Sequence, residues 1–264
     1  MHLPENSRRR VVRIVLLWST AIAVAAALDR IVADAMRQSG AEAWLHHHPW
    51  LEHVLKSPGE AWFTLLIAAA VCLAHRLRWR GGALLLLAAT ISGVNGISKW
   101  IVGRTRPFKL FDPEGHAYLA PFELHPFRGG IPGIVHQTNL CFPSGHVAWA
   151  FATAATMSIL LPRWRGGFYA VAVLVAAERV AENAHWLSDV VVAAALGVAS
   201  VWLVRRVWWD RWCSAQASAS HATPDESGLI AAARAPNIDI GLHHHGSNAT
   251  GQRTLPVAGD SCLQ

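Results

Sequence analysis

Histidine, arginine and carboxylate side chains crowd the stretch from Glu178 to Asp189, although apolar runs flank it on both sides. Polar groups at a membrane boundary are costly unless water or partners satisfy them, so such a concentration marks a candidate site. His185 and Asp189 stand four apart, which on a helix stacks them on one face, where the carboxylate can orient the imidazole and stabilise its cation. Arg179 and His185 would diverge by roughly 120° on a straight helix. A bend around Glu182-Asn183-Ala184 would let both reach one anion.

Two other stretches carry compatible chemistry. Lys99 and Arg106 are seven apart, two helical turns, so both can project from one helix face before Pro107 disfavours helical continuation. Arginine grips an anion with a planar fork and lysine as a point charge. The alternative is that both snorkel to lipid headgroups without selectivity. The second stretch, Phe142-Pro143-Ser144-Gly145-His146, opens an apolar run. Free backbone N–H groups and the positive end of the dipole at such a helix start suit phosphate oxygens, with the Ser144 hydroxyl nearby and Gly145 permitting close approach. His146 could donate a proton to a leaving group, or serve as a cap residue.

The chain that must position these groups reads as a membrane protein. Of its 264 residues, 53% are hydrophobic and 15% charged, well below the roughly 25% charge of soluble domains. Apolar runs at Ile14 to Leu28, Trp62 to Leu77, Ala83 to Ile101, Val147 to Leu161, Phe168 to Ala184 and Leu187 to Val207 predict an all-α bundle of six transmembrane helices. With Val11 and Val12 the first run exceeds the apolar core of a signal peptide, so an uncleaved span is expected. Cleavage after Ala25-Ala26-Ala27 is the alternative.

Arg8 to Arg13, then Arg76, Arg78 and Arg80, then Arg163 and Arg165, then Arg205, Arg206 and Arg211 fall on one side, which the positive-inside rule makes cytoplasmic. The expected plan is a cytoplasmic N-terminus over 1–10, a six-span domain over 11–209 with outer loops at about 29–60 and 103–143, and a disordered cytoplasmic tail over 210–264. Lys99, Arg104, Arg106, Lys109, Arg128 and Arg179 then stand on the outer side against the charge bias and need another reason to be there. The cysteines show no metal spacing and no disulfide framework, and no nucleic-acid-binding motif is present. In the first outer loop, Trp44, Leu45, Trp50, Leu51, Val54 and Leu55 form an interfacial stripe. His46-His47-His48 beside it cannot all face one ion if helical, so an interfacial turn is expected there.

Threading the spans places all three polar stretches on the same outer side. Lys99-x6-Arg106-Pro107, Pro143-Ser144-Gly145-His146 and Arg179-x5-His185-x3-Asp189, in this order, resemble the three-part signature of the type 2 phosphatidic acid phosphatase (PAP2) superfamily. That family includes integral-membrane lipid phosphatases and soluble vanadate haloperoxidases. One departure is Glu178, where many members have serine. An ion pair to Arg179 is one reading of it, and a headgroup-facing side chain the other.

The resemblance implies that His185 attacks phosphorus while Asp189 orients it and stabilises its charge. It implies that His146 protonates the leaving oxygen and later helps activate water, and that Lys99, Arg106, Arg179, Ser144 and the Gly145 amide hold the phosphoryl oxygens. Three fixed cations can neutralise a phosphoryl group without Mg²⁺, so neither metal nor other cofactor is expected. The implied function is dephosphorylation of a membrane lipid phosphate or pyrophosphate through a phosphohistidine, at the periplasmic face of a bacterial cytoplasmic membrane.

The implied partners are the bilayer and an amphiphilic phosphate such as a phosphatidate, a polyprenyl pyrophosphate, phosphatidylglycerol phosphate or lipid A 1-phosphate. Asn139-Leu140-Cys141 and Pro126-Phe127-Arg128-Gly129-Gly130 resemble the bacterial branch that contains lipid A 1-phosphatases. A lipid phosphotransferase of the same superfamily is the alternative. A channel or transporter is disfavoured, because no charged series crosses the midplane of the spans. Arg104, Lys109, Arg128, His116, His125 and His136 are read as solvated loop residues, with headgroup selection as the alternative.

Overall fold

The computed structural model describes residues 5–74, 78–93, 95–107, 124–127, 130 and 140–209. The chain divides into two compact units, Met1–Arg205 and Arg206–Gln264. The expected tail over 210–264 and the loop residues Lys109, His116, Arg128 and His136 lie outside the described residues. What is described is helical, with no strand beyond two isolated bridges, Arg104 to Leu124 and Thr105 to Leu140. The helices are α1 (Glu5–Ser39), α2 (Ala41–His46), α3 (Pro49–Lys56), α4 (Ala61–Ala74), α5 (Arg78–Gly93), α6 (Asn95–Val102), α7 (Gly145–Leu160), α8 (Arg165–Ala181) and α9 (Leu187–Val204). A short 3-10 turn at Ser57–Gly59 joins α3 to α4.

Among the described residues, three helical stretches are long and apolar enough to cross a membrane: Arg8–Ser39, Trp79–Val102 and Leu187–Trp209. The pair Pro49–Gly59 and Ala61–Ala74, bent by 57°, makes a fourth if it is one broken span. α7 is shorter, with 16 residues, ~24 Å of helix at 1.5 Å per residue. Helix α1 bares Val11, Val12, Ile14, Val15, Leu16 and Leu17 on its outer surface, a row suited to lipid and not to water.

α1 also runs to Ser39, well beyond the apolar run that ends at Leu28, so the stretch from Asp29 to Ser39 expected as loop is helix. The physical reason lies in its first residue. Asp29 turns inward and is buried on polar partners, so it does not end the span. Just past the end of α2 the histidine run turns back on that helix, with His47 Nδ1 on the Ala43 carbonyl and His48 Nδ1 on that of Trp44.

Helix α7 is the axis of the bundle. Its Val147 and Ala148 pack with Ala176 of α8 and with Val190, Ala193 and Ala194 of α9, and Trp18 of α1 covers this cluster. Ala150 and Ala154 meet Ala172 and Val175 of α8, while Met157 and Leu160 meet Val71 of α4. Such small residues let helix backbones approach closely where no water drives association. A hydroxyl pair, Thr64 with Thr153 at 3.1 Å, adds a polar tie between α4 and α7.

The α7–α9 approach has one steric keystone. A Cβ at Gly197 would lie 2.6 Å from the Ala148 carbonyl oxygen and 3.0 Å from the Ala152 nitrogen, both backbone atoms that cannot swing away. Since α7 and α9 each begin at a polar motif, their spacing sets the spacing of the motifs. Gly197→Ala is expected to destabilise the bundle by about 1–3 kcal/mol through overpacking. Its thermal midpoint in detergent should fall, while Gly167→Ala, whose Cβ meets nothing within 4 Å, should leave it unchanged.

Candidate active site

The first motif departs from the geometry its spacing suggests. α6 stops at Val102, and Gly103 turns the chain with φ +65°, donating its N–H to the Lys99 carbonyl at 2.7 Å. A Cβ there would also collide with the His125 carbonyl. Lys99 therefore sits on the helix and Arg106 beyond it, in a bridged extended segment, so the two do not share a helix face. They remain within electrostatic reach of each other.

Backbone bonds tie that segment to the other two motifs. The Cys141 N–H donates to the Arg104 carbonyl at 3.0 Å, and the Thr105 carbonyl accepts the Trp186 indole N–H at 2.9 Å and the Cys141 thiol at 3.2 Å. The Ser144 N–H points to the Asp189 carbonyl at 3.4 Å. The burial of Cys141, with burial itself the largest cause, pushes its thiol well up, so it stays a neutral packing group beside Trp186 and Ala33.

The second motif forms the start of α7. Ser144 is its N-cap in extended conformation, yet its hydroxyl does not cap the helix. Gly145 follows, and a Cβ built there would enter open space. His146 comes next and lies within electrostatic reach of Arg179, His185 and Lys99. Its Nε2 is 3.9 Å from a Glu60 carboxylate oxygen. Gly59, just before, packs so tightly on His146 that an added Cβ would lie 2.6 Å from its carbonyl oxygen.

In the third motif α8 ends at Ala181, and Asn183 takes the left-handed conformation with φ +52°. Asparagine tolerates that region better than most residues. The chain thus bends where a straight helix would have kept Arg179 and His185 apart. His185 precedes Trp186, the N-cap of α9, so it and Asp189 are not successive turns of one helix.

They are nevertheless neighbours, with His185 Nδ1 3.8 Å from Asp189 Oδ2, an electrostatic contact longer than a hydrogen bond. Burial pushes the imidazole pKa down to about 4, although Asp189 acts in the opposite direction. At neutral pH His185 is therefore the uncharged ring, which keeps a lone pair.

Asp189 itself is 0% exposed. Its Oδ2 accepts the Trp186 N–H at 3.0 Å, and its Oδ1 accepts Arg104 Nη1 at 2.5 Å. Arg104 is 3% exposed and also reaches Asp29, at 2.7 Å. Burial opposes its charge, but Asp189 and Asp29 more than offset that, and its pKa is raised. The expectation of Arg104 as a solvated loop residue is thus incorrect, whereas His125 is exposed. Burial holds Arg106 below the usual arginine range, and the Arg179 cation adds to the effect.

Arg179 is buried and tied to carboxylates. Its Nε and Nη2 donate to both oxygens of Glu178, and Nη2 also meets Glu182 Oε2 at 2.6 Å. Glu178 is itself buried, so it faces Arg179 and not the headgroups. Glu52 of α3 joins Glu178 and Glu182 in a group whose ligand atoms lie within 4.8 Å of one another. Arg179 already supplies a counter-charge to two of these three, which makes the group an anchor for arginine more than a metal cage.

The residues the sequence singled out, Lys99, Arg106, Ser144, Gly145, His146, Arg179, His185 and Asp189, thus come from three separated stretches into one polar cluster. A profile of the PAP2 superfamily matches residues 80–213, about half of the chain. The chain belongs to the PAP2 superfamily. All three PAP2 motifs fall inside the matched stretch.

A lipid A 1-phosphatase of Rhizobium johnstonii is 32% identical over 160 residues, covering 60% of this chain and 59% of its own. An undecaprenyl-diphosphatase of Sulfolobus acidocaldarius is 28% identical over 145 residues, covering 54% of this chain and 62% of its own. The chain thus spans about three fifths of the length of these curated relatives. The crystal structure of Aquifex aeolicus LpxE superposes with a TM-score of 0.45 at 19% identity, over 59% of this chain and 84% of that one.

Asp29, Arg104, Glu60 and Glu182 were not singled out as site residues by sequence, because each looks like loop or interface polarity when read locally. Arg104 alone carried a signal, as a cation on the disfavoured side. Glu178 and Glu182 are expected to affect anion binding with opposite sign. Glu182→Gln removes a carboxylate that competes for Arg179 and should tighten inhibition by vanadate about fivefold, roughly 1 kcal/mol. Glu178→Gln loosens the anchor and should weaken it; inhibition curves on the two variants decide.

Proposed function

We propose that this PAP2 protein is a metal-independent lipid phosphate phosphatase working through a phosphohistidine. The observation that carries the reading is the gathering of Lys99, Arg106 and Arg179 around two histidines, His146 at the start of α7 and His185 just before α9. A phosphoryl group brings negative charge that must be held while its bonds change, and fixed cations with helix amides supply that without reorganisation. Ser144 and the Gly145 amide would complete the cradle.

Asp189 faces Nδ1 of His185, which would leave Nε2 as the attacking nitrogen. The Nε2–phosphorus bond forms as the phosphorus–oxygen bond to the lipid breaks, and His146 gives its proton to the departing oxygen. Water then attacks the phosphohistidine, losing a proton to His146, and breaks the nitrogen–phosphorus bond. Asp189 stabilises the imidazolium that exists between the two steps.

The arginine distribution supports six spans, with α1, α4, α5 together with α6, α7, α8 and α9 crossing the cytoplasmic membrane. The N-terminus over 1–10 and the tail over 210–264 would lie inside, around a membrane domain over 11–209, and the site would face the periplasm. The identity to a lipid A 1-phosphatase favours a glycosyl phosphate of a lipid A type as substrate. The match to an undecaprenyl-diphosphatase makes a polyprenyl pyrophosphate the alternative.

Phosphate release from lipid A, undecaprenyl pyrophosphate and phosphatidate in detergent with excess chelator tests the chemistry. Release should persist in chelator and fall ~10³-fold or more in His185→Ala. Wild-type turnover in that variant, or a requirement for added metal, would sink the mechanism. Transfer of phosphate to an added lipid acceptor would instead indicate a phosphotransferase. For topology, the exposed His125, changed to cysteine in a cysteine-free background, should react with an impermeant maleimide from the periplasmic side. Labelling solely from the cytoplasm would invert the arrangement.

A further inference from the structure

We propose that Asp29 and Arg104 are positioning residues for His185, acting through Asp189; the inference rests on His185 being the nucleophile. Asp29 lies in α1, remote in sequence from every motif, and is 1% exposed. Its Oδ2 accepts Arg104 Nη2 at 2.7 Å and the Ser188 hydroxyl at 2.6 Å, and its Oδ1 accepts the Ser188 N–H at 2.8 Å. Arg104 Nη1 in turn donates to Asp189 Oδ1 at 2.5 Å and to Ser188 Oγ at 2.8 Å. The chain of contacts ends at Asp189 Oδ2, which faces His185.

Charge explains why both members are needed. Arg104 holds one oxygen of Asp189, so the other is aimed at the imidazole. Acting alone, however, that guanidinium would neutralise Asp189 and leave little negative charge for an imidazolium. Asp29 neutralises Arg104 from its other side. The set Asp29, Arg104 and Asp189 then carries one net negative charge, which the cation formed on His185 balances. In a site closed to water, such a balance is worth more than at a surface. The same fork-to-carboxylate geometry fixes α1 to the start of α9, and lysine cannot reproduce it because it lacks two planar donor arms.

The effect should therefore fall on turnover and not on phosphate binding. With phosphatidate in detergent micelles, or whichever lipid of the panel above is turned over faster, Asp29→Asn is expected to lower kcat by ~10- to 100-fold. KM should stay within about twofold, since Asp29 does not touch the cradle, whereas vanadate, which mimics the state in which His185 carries its charge, should bind more weakly. In an Asp189→Asn background the same change should cost little, because the route to His185 is already cut. Arg104→Lys, carried through the same cycle, should behave alike, and it serves if Asp29→Asn does not accumulate folded.

Wild-type kcat in Asp29→Asn, or an equal loss with and without Asp189, would overturn the proposal and leave Asp29 a structural contact. His185→Ala, measured beside them, separates the two layers. If it turns over normally, the nucleophile assignment fails whatever Asp29 does.

Discussion

A carboxylate removed wholly from water persists as an anion where hydrogen bonds and cations replace the solvent it has lost. Asp189 meets that condition through three unrelated parts of the chain. Its own helix start supplies the Trp186 N–H, the segment after α6 supplies the Arg104 guanidinium, and α1 supplies Asp29 to balance that guanidinium. Breaking one partner would leave an uncompensated buried charge, so the bundle is held to the arrangement in which all are present. The position of His185 follows from it.

Around this network the three motifs are joined by backbone and not by side chains alone. The carbonyls of Arg104 and Thr105 receive donors from Cys141 and Trp186, and the Ser144 amide meets the Asp189 carbonyl. Lower down, the alanine faces of α7 and the missing side chain at Gly197 let α7 and α9 run close together. Close packing below and hydrogen bonds above hold the three motifs together. Arg179 is kept there by Glu178 and Glu182, which neutralise it.

Some local readings held because they depend on local chemistry. Asn183 bends the chain between α8 and α9 where one histidine and one arginine required a bend. Others failed because a nearby residue changed the backbone. Lys99 and Arg106 have helical spacing, yet Gly103 takes a left-handed turn between them and ends the helix. Asp29 has the look of a span boundary, since an acid following an apolar run is normally at the membrane surface. It is helical and buried because a cation from elsewhere meets it.

By itself the sequence determined the apolar runs, the order of the three PAP2 motifs and the cationic, hydroxyl and imidazole groups that those motifs carry. These are properties of residue type and short-range spacing, and they survive in any reading of the chain. The tertiary structure alone decided which residues stand behind the motifs. Arg104 could be a headgroup ligand, a solvated loop cation or a buried counter-ion on sequence grounds, and the partner that selects among these lies in α1. Glu178 likewise became an anchor for Arg179 through its burial. Burial and long-range ion pairing are properties of the packed bundle, and no window along the chain contains them.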